Sequence, residues 1–142
     1  MKSKRMFVYG SLRHDFHNYN KYLKGYTVNE ISGAYMLGKI FHLPNKGCPA
    51  AIPGEDHIIG EVIDVIDDGK ILEDINQMEG FISLGNPNNE YNFELKEIIF
   101  PDGKKEVLPV YMYNSTESEI INNDLGIYIP DGDWKLYIKG KK

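Results

Sequence analysis

The sequence predicts a mixed α+β fold, in which a small, strongly curved, barrel-like β-sheet is flanked by short helices. Three observations support this prediction. Strand-like runs dominate the 142 residues. The two or three short helices do not alternate regularly with the strands, which disfavours a doubly wound parallel sheet. The length and a hydrophobic content of 42% fit one globular domain spanning residues 1–142.

The first third of the chain predicts two strands, one helix and one loop. Arg5 to Tyr9 is short and, after the arginine, apolar or aromatic, and it predicts a buried first strand. Ala34 to Phe41 predicts the second strand, and the proline- and glycine-rich stretch from Pro44 to Gly54 predicts a loop. Between the strands, residues at helical spacing predict a helix of two to three turns: Phe16, Tyr19, Tyr22 and Leu23.

The middle of the chain predicts a central strand followed by an amphipathic helix. Ile58 to Ile66 is continuous and β-branched, as in strands that are buried on both faces. Lys70 to Met78 predicts the helix, and Asp68 is its candidate N-cap.

A β-hairpin is predicted next. Tyr91 to Ile99 alternates between apolar and polar residues, and Pro101-Asp102-Gly103 predicts the turn that follows. Val107 to Tyr113 predicts the returning strand. Because proline cannot donate to a strand ladder, Pro109 predicts that this strand lies at an edge or carries a bulge.

Composition restricts the partners and the compartment. The net charge is −5 and basic residues cluster only at the C-terminal end, which argues against a nucleic-acid partner. No apolar stretch approaches the roughly 20 residues of a membrane span, so no membrane partner is expected. Cys48 is the single cysteine and allows no internal disulfide. We therefore expect a soluble, cytoplasmic protein with a reduced, partly buried thiol.

Glu79 stands at an unusual place on the predicted helix. It follows Ile71 by eight residues and Ile75 by four, so it continues the apolar stripe. A helix C-terminus disfavours a negative charge, and partial burial raises a carboxyl pKa further. Such a carboxylate suits a general base. On spacing alone, the alternative is that Glu79 is the last helical residue with its side chain in water.

The tetrapeptide Tyr9-Gly10-Ser11-Leu12 ends the first predicted strand. Gly10 allows the turn and a close approach of a ligand to the backbone. The amide N–H groups at the start of a following helix favour an anion, such as a substrate carboxylate. The alternative is a structural turn with Ser11 as a helix cap. Arg13 either adds positive charge to this site or faces solvent.

Several motifs together resemble the gamma-glutamylcyclotransferase-like family, and the resemblance covers nearly the whole chain. "FVYGSLR" is similar to the family's N-terminal signature, and "GCPAAIPGEDHIIGEVIDV" resembles its central stretch. "LEDINQMEGF" resembles its helix ending in Glu-Gly, which carries the catalytic glutamate. Tyr91, "VYMY" at 110–113 and "DGDW" near the end are similar to weaker signatures, the last to that of bacterial members.

The resemblance implies a compact barrel with an active site in a cavity at one end. It implies that Glu79 is the catalytic acid/base, and that Tyr9, Gly10, Ser11 and Leu12 bind the substrate's α-carboxylate. Tyr91 and Tyr111 are further candidate substrate-binding residues. The implied reaction converts a small gamma-glutamyl compound into 5-oxoproline and an amine or amino acid, without a metal or organic cofactor. A homodimer is compatible with the sequence.

Other chemistries fit the sequence less well. Ser11 lacks the Gly-x-Ser-x-Gly context of a hydrolase nucleophile. His14 and His17 share one helix face without a third ligand at a recognisable spacing, so no metal site is predicted. The alternative from a different class is a non-catalytic module that binds a small acidic or acylated amine through Tyr9 to Leu12. Glu79 favours the enzyme, because carboxylate binding gains nothing from a second anion.

Overall fold

A computed structural model describes residues 2–13, 16, 18–67 and 70–140. Within them it has six strands, three α-helices and one π-helical turn at Tyr19–Leu23. The strands are β1 (Lys2–Val8), β2 (Thr27–Leu43), β3 (Cys48–Asp67), β4 (Tyr91–Ile99), β5 (Lys105–Tyr113) and β6 (Ile127–Tyr128). The helices are α1 (Ile71–Met78), α2 (Glu117–Asn122) and α3 (Trp134–Gly140). None of these helices has the length and apolar character needed to cross a membrane.

All strand pairs are antiparallel and form one sheet in the order β1-β3-β2-β4-β5, with β6 added to β2. This confirms the predicted mixed α+β class. The sheet is not closed by hydrogen bonds between β1 and β5, so the barrel-like description overstates its closure. A side chain spans this gap instead, because the hydroxyl of Tyr9 donates to the backbone oxygen of Tyr111 at 2.5 Å.

The β4–β5 hairpin joins the rest of the sheet at a single bridge. Tyr35 in β2 pairs with Ile99 at the end of β4, whereas β4 and β5 pair along their whole length from Tyr91 to Ile99. Tyr91 therefore lies at the end of the hairpin that is farthest from this bridge. That end is where the cavity described below is found.

The loop predicted for Pro44 to Gly54 is mostly wrong. Residues 44–47 form a turn, but β3 already begins at Cys48. The stretch from Cys48 to Ile52 pairs with β2, whereas β1 covers β3 only from Glu61 onward. One edge of β3 is thus free of β1 where Pro49 lies, and a free edge tolerates a residue without an N–H donor.

The predicted helices differ from the observed ones at their ends. The helix expected around Tyr19 is a single π-helical turn, and α1 begins at Ile71, next to Lys70, which makes no side-chain cap bond. The candidate N-cap Asp68 lies outside the described residues. In α2, the hydroxyl of Thr116 accepts from the backbone N–H of Glu119 and caps the helix.

The hairpin prediction is confirmed, but the face of β4 that points into the core differs between the two ends of the strand. β4 has the predicted bounds, and β5 is an edge strand, which accommodates Pro109. Along β4, however, Leu95 is 69% exposed while Ile98 is fully buried. The inward face therefore changes between the two ends of the strand. Tyr91 packs in the core beside Tyr111, and Ile98 packs in the core that contains Trp134.

Candidate functional site

A cavity of about 380 Å³ opens beside the turn that follows β1. The first residues of β3 and β4, the C-terminal end of α1 and one residue of β5 complete its walls. Every candidate site residue named from the sequence lines this cavity: Tyr9, Gly10, Ser11, Leu12, Glu79, Tyr91 and Tyr111.

The end of α1 carries Glu79 to the cavity. The helix buries Ile71 and Ile75 on its apolar face, and Glu79 follows the same stripe as its C-cap residue. Its backbone N–H bonds to the oxygen of Ile75 at 2.9 Å. Gly80 then takes a left-handed conformation with φ +69°, and a Cβ there would come within 2.8 Å of Glu90. The helix thus stops at the residue that bears the carboxyl.

The carboxyl of Glu79 is electrostatically unusual. Burial raises the pKa of Glu79 to about 8, and the negative charge of Glu90 adds to the rise. No described residue hydrogen-bonds or ion-pairs with this carboxyl. Near neutral pH it therefore exchanges a proton readily and remains available to a ligand.

The Tyr9–Leu12 turn lines the same cavity and carries backbone N–H groups that could donate to a ligand. The N–H of Arg13 bonds to the oxygen of Gly10 at 2.9 Å and closes the turn. No described residue accepts a hydrogen bond from the N–H groups of Gly10, Ser11 or Leu12. Adjacent free N–H groups in a turn form a concave site that suits an anion.

Gly10 is required by close packing. A Cβ on Gly10 would lie 2.7 Å from Cγ of Pro49, well inside normal contact. The turn therefore rests directly against the first residues of β3, which also line the cavity.

Arg13 neither adds charge to the cavity nor faces solvent. Its side chain is buried, and its Nε and Nη1 pair with Glu61 at 3.0 Å and Asp133 at 2.9 Å. The alternative role of Ser11, that of a helix cap, does not match the bond that its Oγ makes, which accepts from the side chain of Asn18 at 2.7 Å. Arg13 thus anchors the turn from behind.

The three candidate tyrosines share a feature, because each hydroxyl already donates to the protein. Tyr9 donates to the oxygen of Tyr111, Tyr91 to the oxygen of Pro49 at 2.7 Å, and Tyr111 to Oδ1 of Asn76 at 2.5 Å. Burial raises the pKa of all three, and the charge of Glu79 contributes. Their rings form fixed walls of the cavity.

Sequence reasoning missed several residues of this cavity. Asn18, Met78 and Glu90 line it, as do Lys46 and Pro49 from the region predicted to be a loop. Lys46 pairs with Glu90 at 2.6 Å. The one sequence signal toward this group was the proline- and glycine-rich composition, which indicates a turn but not what the turn lies against.

Cys48 and the histidines supply no second site within the described residues. The Sγ of Cys48 lies 3.4 Å from the hydroxyl of Tyr91, and burial raises the pKa of its thiol, which makes it a poor nucleophile. His14 and His17 lie outside the described residues. Within the described part of the chain, no group of three or more His, Cys, Asp or Glu residues is arranged to hold a metal ion.

The fold and cavity define a small α+β protein built around a pocket for a small molecule. The chain belongs to the family described as "Gamma-glutamyl cyclotransferase, AIG2-like", whose model matches residues 6–136. This confirms the resemblance noted from the motifs. A relative in Methanocaldococcus jannaschii, named "Putative gamma-glutamylcyclotransferase MJ1514", is 31% identical over 134 residues, which are 93% of this chain and 96% of the relative.

Solved structures show the same fold. YkqA from Bacillus subtilis matches with a TM-score of 0.65 and 22% identity over 99% of this chain, which spans only 43% of that longer protein. PH0828 from Pyrococcus horikoshii matches with a TM-score of 0.58 and 25% identity, covering 96% of this chain and 95% of that one. An AIG2-like protein of Mus musculus has a TM-score of 0.60 and 16% identity, with coverages of 83% and 82%.

Proposed function

We propose that the protein is a gamma-glutamyl cyclotransferase, which releases 5-oxoproline and an amine or amino acid from a small gamma-glutamyl compound. The observation that carries the proposal is the presence of Glu79 in the same cavity as Gly10, Ser11 and Leu12, whose N–H groups donate to no described residue. Family membership supports the reaction class. A cytoplasmic location remains a prediction.

Substrate binding uses the turn and the aromatic walls. The α-carboxylate of the gamma-glutamyl group accepts hydrogen bonds from the N–H groups of the turn. The rings of Tyr9, Tyr91 and Tyr111 confine the three-carbon chain, which brings the α-amine near the γ-carbonyl. Positioning of this kind lowers the barrier by roughly 7–11 kcal/mol when the geometry is well matched.

The chemistry needs a proton acceptor that becomes a proton donor. Glu79 takes a proton from the α-amine, whose nitrogen forms a bond to the γ-carbonyl carbon. The γ-amide C–N bond then breaks, and Glu79 returns the proton to the leaving nitrogen. A Glu79 pKa of about 8 is close to that of a peptide α-amino group, about 7.7–8.0, so transfer of a proton from an α-amine to Glu79 is not steeply uphill.

Tyr111 has a smaller part in this mechanism than its position suggests. Stabilising a developing oxyanion would require its hydroxyl to rotate away from Asn76. The backbone N–H groups lining the cavity need no such rearrangement, so we assign them the oxyanion as well as the carboxylate.

The test is incubation of the purified protein with gamma-glutamyl dipeptides and gamma-glutamyl amines, with 5-oxoproline measured by mass spectrometry. We expect release by the wild type and a loss of at least about 100-fold in Glu79→Gln, as is typical for removal of a general base. Glu73→Gln, an exposed glutamate on the same helix, is the matched control and should keep full activity. Wild-type turnover in Glu79→Gln would show that Glu79 is not the acid/base.

A further inference from the structure

We propose that the side-chain hydroxyl of Ser11 donates its proton to the substrate carboxylate, and that Asn18 is the positioning residue that makes this possible. This inference rests on the proposed function for the identity of the ligand. It adds a side-chain donor to the backbone donors of the turn, and it assigns a role to Asn18, which the sequence motifs did not single out.

The first step of the argument is the orientation of the Asn18 amide. Its Nδ2 lies 2.7 Å from Oγ of Ser11 and 3.5 Å from Sδ of Met78. A thioether sulfur has no proton and can only accept, so the amide end that faces it must be the NH₂ group. The contact with Met78 therefore fixes which end of Asn18 points at Ser11.

The second step concerns the proton of Ser11. Since Nδ2 donates to Ser11, the Oγ of Ser11 acts as the acceptor in that bond, and its own proton has to point elsewhere. No described residue accepts a hydrogen bond from this hydroxyl. Ser11 is only 8% exposed and lines the cavity, so a ligand in the cavity is the natural acceptor. A carboxylate accepts such a bond strongly because it is charged.

The third step is the position of Asn18 between the Tyr9–Leu12 turn and the C-terminal end of α1. One hydrogen of Nδ2 reaches the turn at Ser11, and the other reaches Met78, the residue before Glu79. A single side chain thus links the donors for the carboxylate to the end of α1. Asn18 influences the reaction through Ser11 and does not itself have to touch the substrate.

Binding of 5-oxoproline, measured by NMR titration, tests the inference without requiring turnover. The comparison ligand is 2-pyrrolidinone, which has the same ring without the carboxylate. In Ser11→Ala we expect the affinity for 5-oxoproline to fall about tenfold, as for a lost bond to a charged group, while that for 2-pyrrolidinone stays the same. Ser11→Thr keeps the hydroxyl and should restore most of the affinity.

A double-mutant cycle tests whether Asn18 acts through Ser11. Asn18→Ala should weaken 5-oxoproline binding severalfold in the wild type and cause no further loss in Ser11→Ala. The same substitution at the exposed Asn20 is the control for effects on the π-helical turn, and thermal unfolding verifies that each variant is folded. Additive losses, or equal losses for both ligands, would overturn the inference.

The outcomes separate this inference from the proposed function. If gamma-glutamyl compounds are turned over and Ser11→Ala leaves KM unchanged, the function stands and the inference fails. If 5-oxoproline binds with the expected dependence on Ser11 but no substrate is turned over, the carboxylate site stands and the catalytic proposal fails. If the wild type neither binds 5-oxoproline nor releases it, both fail.

Discussion

Glu79 lowers the stability of the fold above mildly acidic pH, because its carboxyl is costly to ionise in the cavity. Its pKa rises from the ordinary value of 4.5 in the unfolded chain to about 8 in the folded protein. The folded state therefore holds its proton longer, and stability falls as pH rises from 4.5 to 8. Below pH 4.5 both states are protonated and this effect vanishes.

We accordingly expect Glu79→Gln to be more stable than the wild type by an amount that grows with pH. The gain should be about 1 kcal/mol or less at pH 5 and on the order of 4–5 kcal/mol at pH 9, because each pKa unit between 4.5 and about 8 corresponds to about 1.4 kcal/mol. Urea denaturation at both pH values measures it, and the exposed Glu73→Gln serves as the control. An advantage that is the same at both pH values would show that the carboxyl of Glu79 is not buried as described.

Glu90 raises the pKa of Glu79, because its negative charge lies close enough to disfavour the ionised form of that carboxyl. In Glu90→Gln this charge is gone, so the pKa of Glu79 falls and the base form persists at lower pH. We expect the acidic limb of the pH profile of kcat/KM to move to lower pH. Glu94→Gln, on β4 and outside the cavity lining, should leave the limb in place. A limb that moves upward in Glu90→Gln would contradict this assignment.

At the scale of the elements, the turn after β1 packs directly against the first residues of β3, which leaves no room for a side chain on Gly10. We expect Gly10→Ala to displace this turn, because the added Cβ would lie 2.7 Å from Cγ of Pro49. KM for gamma-glutamyl substrates should rise, and stability should fall by about 1–3 kcal/mol, as for an overpacked contact. Gly140→Ala, where a Cβ meets no atom within 4 Å, is the control. Unchanged kinetics would show that the turn can shift without loss of binding.

The strands also show which parts of the fold local sequence patterns predict and which parts they do not. The bounds of β4 follow from local alternation between Tyr91 and Ile99, which needs no knowledge of distant residues. Cys48 to Gly54 could not be assigned in this way, because their strand state depends on pairing with β2 and on an uncovered edge at Pro49. Proline and glycine content favours a loop wherever such long-range pairing is unknown.

The residues of the candidate site also fall into those with a local sequence signal and those that depend on contacts distant in the chain. Helical spacing placed Glu79 on the apolar stripe and the end of an apolar run marked the Tyr9–Leu12 turn, since both signals are local, and the resemblance to the family then joined them into one predicted site. Asn18 was missed because its role arises from two contacts, with Ser11 nearby in the chain and with Met78 sixty residues away. Lys46 and Glu90 were missed for the same reason, as they pair across 44 residues.

At the scale of the whole molecule, one buried cation joins three segments that are far apart in the chain. Arg13 follows the turn, Glu61 lies in β3 where it begins to pair with β1, and Asp133 precedes α3. Asp133 also accepts from the backbone N–H of Leu136 and so fixes the start of that helix. The last helix is thereby connected to the first turn of the chain, although they are 120 residues apart.

We expect Arg13→Ala to cost far more stability than Arg5→Ala, which removes an ion-paired but more exposed arginine. Removing Arg13 takes the buried cation away from two carboxylates, although Glu61 keeps Lys135 at 3.9 Å, and we expect a loss of about 3–5 kcal/mol. Arg5 pairs with Asp64 at 2.8 Å, but its side chain is 33% exposed, so its loss should cost about 1 kcal/mol or less. Urea denaturation of both variants measures the difference, and Asp133→Asn, which removes one of the two charges, should fall between them. Equal losses for Arg5→Ala and Arg13→Ala would mean that water reaches the Arg13 cluster, and the turn would then have to be held in place by its other contacts, such as the packing on Pro49 and the hydrogen bond from Asn18 to Ser11.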